Sequence, residues 1–237
     1  ADTDIGTATG EDAAFGGVSS AITAESIFTT SGEQWRKQRS MMDPAFAQAR
    51  LNVAFPVMQA AVADMLKRLA ALPDGAEYDL EVEMTHVTAD IVYRTIFSVP
   101  LAEAEAASLF AAFTRYQEFA QKVMVCKLLR MPVLWYDYRR RQYAAVIKTF
   151  LGEKVRRRFE FLTTLEEQNG ADILSGLRCA IDPEDGAALT EQEVLDQVCM
   201  LFLAGHETSA SSLSWCLYVL GEAPELQKQL VDELLLA

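Results

Sequence analysis

Leu203-Ala204-Gly205-His206-Glu207-Thr208-Ser209 sets a glycine and an acid-alcohol pair inside a long apolar run. Glycine in a helix interior costs about 1 kcal/mol relative to alanine, and a carboxylate facing apolar neighbours must be paired, hydrated or protonated. Such a combination suggests a site. Upstream, Thr190 with Glu193 three residues later spells a capping box, and apolar residues then run from Val194 through Leu220 with little polar interruption. The pattern predicts a helix from Glu191 to Gly221, roughly 45 Å long at about 1.5 Å per residue, central and buried on most sides. Leu201, Ala204, Gly205, Thr208 and Ser212 share one face of it.

Two readings of that face stand side by side. Gly205 has no side chain, so a flat ligand could approach the backbone. Thr208 beside Glu207 could hold a bound oxygen species and pass it protons through water. Equally, Thr208 could bond back to the Ala204 carbonyl and Gly205 could admit a neighbouring helix.

A second constellation lies far upstream. In Gly32-Glu33-Gln34-Trp35-Arg36-Lys37-Gln38-Arg39, Trp35 and Arg39 stand four apart on one helix face. An indole N–H next to a guanidinium suits a carboxylate-bearing ligand, which Arg39 could grip with two parallel bonds. The plain alternative is a surface arginine stacked on Trp35.

Together, in this order and separation, the two motifs resemble the cytochrome P-450 family of haem-thiolate monooxygenases, of the soluble bacterial type. In that family a Trp-x-x-x-Arg helix binds the haem propionates, which Trp35 and Arg39 match. A central helix carries an Ala/Gly-Gly-x-Glu/Asp-Thr motif that handles dioxygen, which Ala204, Gly205, Glu207 and Thr208 match. The approach (Asp172 to Ser175, Asp182 to Gly186) and the exit (Ser214-Trp215, Glu222 to Gln227) are also similar to the family's. The resemblance covers nearly all of the chain from about Phe28 onward and is weakest between Leu101 and Phe161.

The resemblance implies a haem b (iron protoporphyrin IX) cofactor, dioxygen, a small organic substrate to be hydroxylated, and a ferredoxin or flavodoxin/reductase redox partner. Trp35, Arg39, Ala204 and Gly205 would bind the cofactor, with Thr208 and Glu207 catalytic. The family's axial cysteine follows a Glu-x-x-Arg pair well downstream of the central helix, so residues 1–237 are expected to be a fragment of one such domain, without the metal ligand. Glu33-Gln34-Trp35-Arg36 and Glu153-Lys154-Val155-Arg156 match that pair only by chance of position, and none of Cys126, Cys179, Cys199 or Cys216 lies in a Gly-rich loop. A rival reading is a non-enzymatic helical ligand-binding or interaction scaffold derived from the same fold.

Composition frames these expectations. At 237 residues, 51% of them hydrophobic, the chain is long enough to bury a sizeable core. Four cysteines without close pairing or metal spacing fit a reducing compartment, and the expectation is a cytoplasmic monomer. The net charge of −13 is uneven: Arg115 to Arg158 holds 12 Lys and Arg against 3 acids, so this segment is +9 and the remainder −22. Arg139-Arg140-Arg141 and Arg156-Arg157-Arg158 invite a nucleic-acid reading, but they sit in helical sequence on an acidic chain without a binding motif. A solvated helix face is preferred and no nucleic-acid partner is expected. By the resemblance, this segment would roof a substrate channel, where basic residues could meet an anionic substrate or a membrane surface.

The fold expected is mainly α with at most a short β segment near Ala76 to Tyr78. Helices are predicted over 32–42, 53–72, 80–97, 101–127, 139–167, 172–180, 191–221 and 224–235, broken at Pro73-Asp74-Gly75 and Pro132. The Gly-rich opening, 5–17, reads as loop. Other chemistries fall away. His206-Glu207 begins like a zinc-protease motif, but Ala210 stands where the second histidine is needed. His86 reads as structural, and Trp135-Tyr136-Tyr138 as channel lining or core, with core preferred.

Overall fold

A computed structural model describes residues 21–46, 48–161 and 172–236. The expectation for the Gly-rich opening lies outside the described residues, as does the end expected for the helix reaching residue 167. The described chain is a succession of helices: α1 Gly32–Met42, a 3-10 turn Asp43–Phe46, α2 Gln48–Ala70, α3 Leu80–Phe97, α4 Glu103–Leu128, α5 Leu134–Phe161, α6 Ile173–Arg178, α7 Glu191–Glu222 and α8 Pro224–Leu236. Among the described residues no strand forms. Ala76 to Tyr78 is irregular, and one isolated antiparallel bridge joins Ile181 to Ala188.

Local chemistry sets most of the boundaries. Asp79 caps α3 by accepting from the Val82 amide at 3.1 Å, and the helix ends at Ser98 in the left-handed conformation (φ 58°). Asp172 caps α6 through the Ser175 amide at 2.8 Å. Thr190 and Glu193 form the predicted capping box of α7, each side chain bonding the other's backbone N–H.

Two starts differ from expectation. α2 begins at Gln48 and runs through Pro56, because a single missing N–H is tolerable where the rest of a 23-residue helix continues on both sides. α5 begins at Leu134, directly after the Pro132 break, five residues before the predicted start.

The core sits where α3, α4, α5 and α7 meet. Tyr93, Ile96, Phe113, Ile147, Leu151, Val198 and Phe202 are each at most 1% exposed. Phe113 stacks on Phe202 with ring centroids 5.1 Å apart. Ala61, Met65, Met84, Val87 and Ala210 form a smaller cluster between α2, α3 and α7.

α7 is therefore central, but only its first two-thirds is covered. From Leu213 onward Trp215, Tyr218 and Val219 are exposed, and α8 buries no residue. The expectation of a helix buried on most sides holds to Ala210 and fails beyond it, where most side chains are exposed.

The basic segment is explained by its partners. Lys148 pairs with buried Asp196 of α7 at 2.9 Å, Lys154 with Glu105 of α4 at 2.7 Å and Arg158 with Asp172 at 3.0 Å. α5 is thus the cationic half of several inter-helix ion pairs. At its start the aromatic cluster departs from the core reading. Trp135 and Tyr138 are about 60% exposed, with Trp135 meeting Phe119 edge-on.

Candidate active site

The central motif occupies the last covered turns of α7. Gly205 lies against α3: a Cβ built on it would sit 3.0 Å from Cγ2 of Val92, so the glycine permits close approach of the two helices. The packing reading of Gly205 thus has a direct basis. Gly205 also borders an apolar cavity of about 340 Å³ between α2, α3 and α7, lined among others by Val53, Met58, Ile91, Val92 and Leu201.

One residue on, His206 is buried. Its Nδ1–H donates to the Phe202 carbonyl at 2.6 Å and its ring meets Phe113 and Phe202, both at centroid distances of 5.1 Å. Burial lowers its pKa below the ordinary 6.5, against the weaker opposing effect of that hydrogen bond, so the ring is neutral at pH 7.

Glu207 and Thr208 point the other way and are exposed. Desolvation first, and the negative charge of Glu81 second, raise the Glu207 carboxyl above its ordinary 4.5. Gln117 of α4 donates through Nε2 to Glu207 Oε2. The Thr208 hydroxyl donates to the Ala204 carbonyl at 2.7 Å, the back-bonded arrangement that the sequence left open. A donating hydroxyl keeps lone pairs that accept, so this contact orients Thr208 rather than disabling it.

The upstream motif is presented by α1. Gln38, Met41 and Met42 are buried, which turns Trp35 and Arg39 outward at 41% and 51% exposure. Gln38 ties α1 to the preceding segment, donating to the Glu25 carbonyl at 2.6 Å and accepting from the Thr30 hydroxyl at 3.0 Å. Lys37 bridges to Asp182 at 3.0 Å and Asp185 at 2.6 Å, and its hydrogen bonds to these two raise its pKa. Arg39 pairs through Nε with Asp43 at 3.0 Å. The cavity beside Gly205 touches neither Trp35 nor Arg39.

Other expectations resolve simply. His86 stacks on Phe110 at 4.7 Å, in keeping with a structural role. Cys126, Cys179, Cys199 and Cys216 are free, and burial pushes the Cys199 thiol up to about 12. Among the described residues, no group of three His, Cys, Asp or Glu side chains could hold a metal ion, and no helix is long and apolar enough to cross a membrane. Gln117 and Gln38 escaped the sequence reading. Gln117 could have been flagged as a polar residue one helical turn after Phe113 on the buried face of α4.

The whole arrangement meets its family here. The family model for cytochrome P-450 matches residues 6–237, and the chain belongs to that family. Relatives include cyclooctatin synthase of Streptomyces melanosporofaciens, 29% identical over 90% of this chain and 46% of its own length. Cyclooctat-9-en-7-ol 5-monooxygenase of the same organism is 30% identical, again over 90% and 46%. Pentalenene oxygenase of Streptomyces avermitilis is 28% identical with the same coverage. The fold matches the crystal structure of a cytochrome P-450 haem domain with a TM-score of 0.76 at 21% identity, covering 90% of this chain and 46% of that one. The chain thus spans about half the length of the curated relatives it matches.

The residues present fit a haem. Two outward N–H donors on α1 suit propionate carboxylates, and the Nε pair of Arg39 with Asp43 leaves its terminal amino groups to point at a second anion. On α7 the small side chain of Ala204 stands one turn before Thr208, beside the exposed Glu207.

Proposed function

We propose that this chain is the distal part of a haem-dependent monooxygenase that inserts one atom of dioxygen into a small organic substrate, residues 1–237 forming part of a single domain. The observation that carries the reading is the exposed Glu207–Thr208 pair next to Gly205 on a central helix, in a family member that also presents Trp35 and Arg39 outward.

Haem, when bound, supplies the redox and oxygen chemistry, with electrons from a ferredoxin or a flavodoxin/reductase partner. The chain's own residues hold and supply. Trp35 and Arg39 bind the propionates. Thr208, oriented by its bond to the Ala204 carbonyl, accepts a hydrogen bond from water at a fixed position. Glu207 keeps its proton to a higher pH than a free carboxylate, which suits it to proton delivery, and Gln117 holds it in place.

Thr208→Ala tests this in the enzyme expressed from its full coding sequence. Electron consumption should continue while product per electron falls severalfold, an oriented donor and acceptor of this kind contributing on the order of tenfold or more. Unchanged coupling removes Thr208 from the mechanism. Failure of the wild-type protein to retain any haem would favour the non-enzymatic scaffold instead.

A further inference from the structure

Four alternate carbonyls in the site segment of α7 each receive a hydroxyl. Thr208 donates to Ala204 O at 2.7 Å, Ser212 to Thr208 O at 2.9 Å and Ser214 to Ala210 O at 2.9 Å. These three belong to α7 itself. The fourth, on His206 O, comes from another helix: Thr88 of α3, at 2.9 Å. The three intrahelical hydroxyls bond only within an unbroken α7, whereas Thr88 ties the stretch that presents Glu207 and Thr208 to a second helix.

We infer that Thr88 is a positioning residue, fixing the peptide that joins His206 to Glu207 and thereby the setting of Glu207 and Thr208. Thr88 is 4% exposed, and its hydroxyl also lies 2.8 Å from its own helix's Met84 carbonyl and 3.2 Å from that of Thr85. The single hydroxyl proton is shared between these acceptors, and of the three contacts only the one to His206 O joins α3 to α7. The contact is backed by a second one on the same face of α3, where Val92, one turn beyond Thr88, sits against Gly205. On the far side of the peptide the His206 ring is wedged by Phe113 and Phe202. The His206 peptide is thus held from both sides, while Glu207 and Thr208 beside it face outward.

The catalytic part of this inference rests on the monooxygenase reading, and the tether itself does not. Thr88→Val keeps the shape and removes the donor, whereas Thr88→Ser keeps the donor. Hydrogen–deuterium exchange of the purified protein over residues 204–212 should be about fivefold to tenfold faster in the valine variant, the scale of one neutral hydrogen bond. The serine variant should match wild type, and α5 should be unaffected in both.

Wild-type exchange in Thr88→Val, equal acceleration across α5, or failure of serine to rescue would each overturn the tether. In the haem-loaded enzyme, Thr88→Val should lower product formed per electron severalfold with Thr88→Ser retaining it, and unchanged coupling would overturn the positioning role. A wild-type protein without haem but with the expected exchange pattern would contradict the monooxygenase reading alone.

Discussion

His206 and Glu207 are neighbours in sequence with opposite pH behaviour. The His206 pKa is depressed by burial, so the unfolded chain binds more protons below 6.5, and stability is lost as pH falls through and below that value. The Glu207 pKa is raised, so its proton is held more tightly in the folded state, and stability is lost as pH climbs above 4.5 toward the raised value. Glu207→Gln should therefore be more stable than wild type at pH 7 and indistinguishable from it below pH 4. His206→Gln should abolish part of the acid lability below pH 6.5. Chemical denaturation across pH 4–8 checks both signs, and a Glu207→Gln variant less stable than wild type at pH 7 would contradict the assignment. If Arg39 binds a propionate as proposed, Arg39→Ala should lower the haem-to-protein ratio after dialysis. An unchanged ratio would leave Arg39 as the surface partner of Asp43 alone.

At the scale of elements, the α3–α7 contact decides how the site is held. Gly205→Ala gains helix propensity, worth about 1 kcal/mol, but presses a methyl against Val92, and overpacking costs about 1–3 kcal/mol. The expected result is a net loss of stability that Val92→Ala relieves, read as a shift in denaturation midpoint. Absence of relief would mean that the helices part without strain. Phe202→Ala, under the stack with Phe113, should cost about 3–5 kcal/mol.

Much of this level was legible in sequence. Thr190 and Glu193 announced the start of α7, Pro73-Asp74-Gly75 the break before α3, and Pro132 the α4–α5 break. The start of α2 at Gln48, five residues before the predicted 53, was not, because no capping residue or proline marks it in the sequence. Thr88 and Gln117 were also hidden, since a polar residue on an apolar helix face does not name the carbonyl or carboxylate that it will meet on another helix.

Across the whole molecule, the covered and uncovered surfaces divide sharply. α3, α4, α5 and the first part of α7 close around Phe113 and Phe202, while Val53, Phe55 and Leu66 of α2, Trp215 and Tyr218 of α7 and Leu234 of α8 remain exposed. Sequence periodicity identified these helices without saying which faces would find cover. That is why the central helix looked buried throughout and Trp135 looked like core. Apolar area of this extent predicts strong binding of a hydrophobic dye such as ANS by the 237-residue chain, and weak binding would contradict the exposure of these faces.

The proposed role of Trp35, Arg39, Glu207 and Thr208 is to serve a thiolate-ligated haem. The reduced carbon-monoxide difference spectrum of the protein expressed from the full coding sequence that carries these residues reads this ligation. The expected result is the red-shifted Soret band of thiolate ligation, diminished in Arg39→Ala in proportion to lost haem. A protein that folds but gives no such band would contradict it.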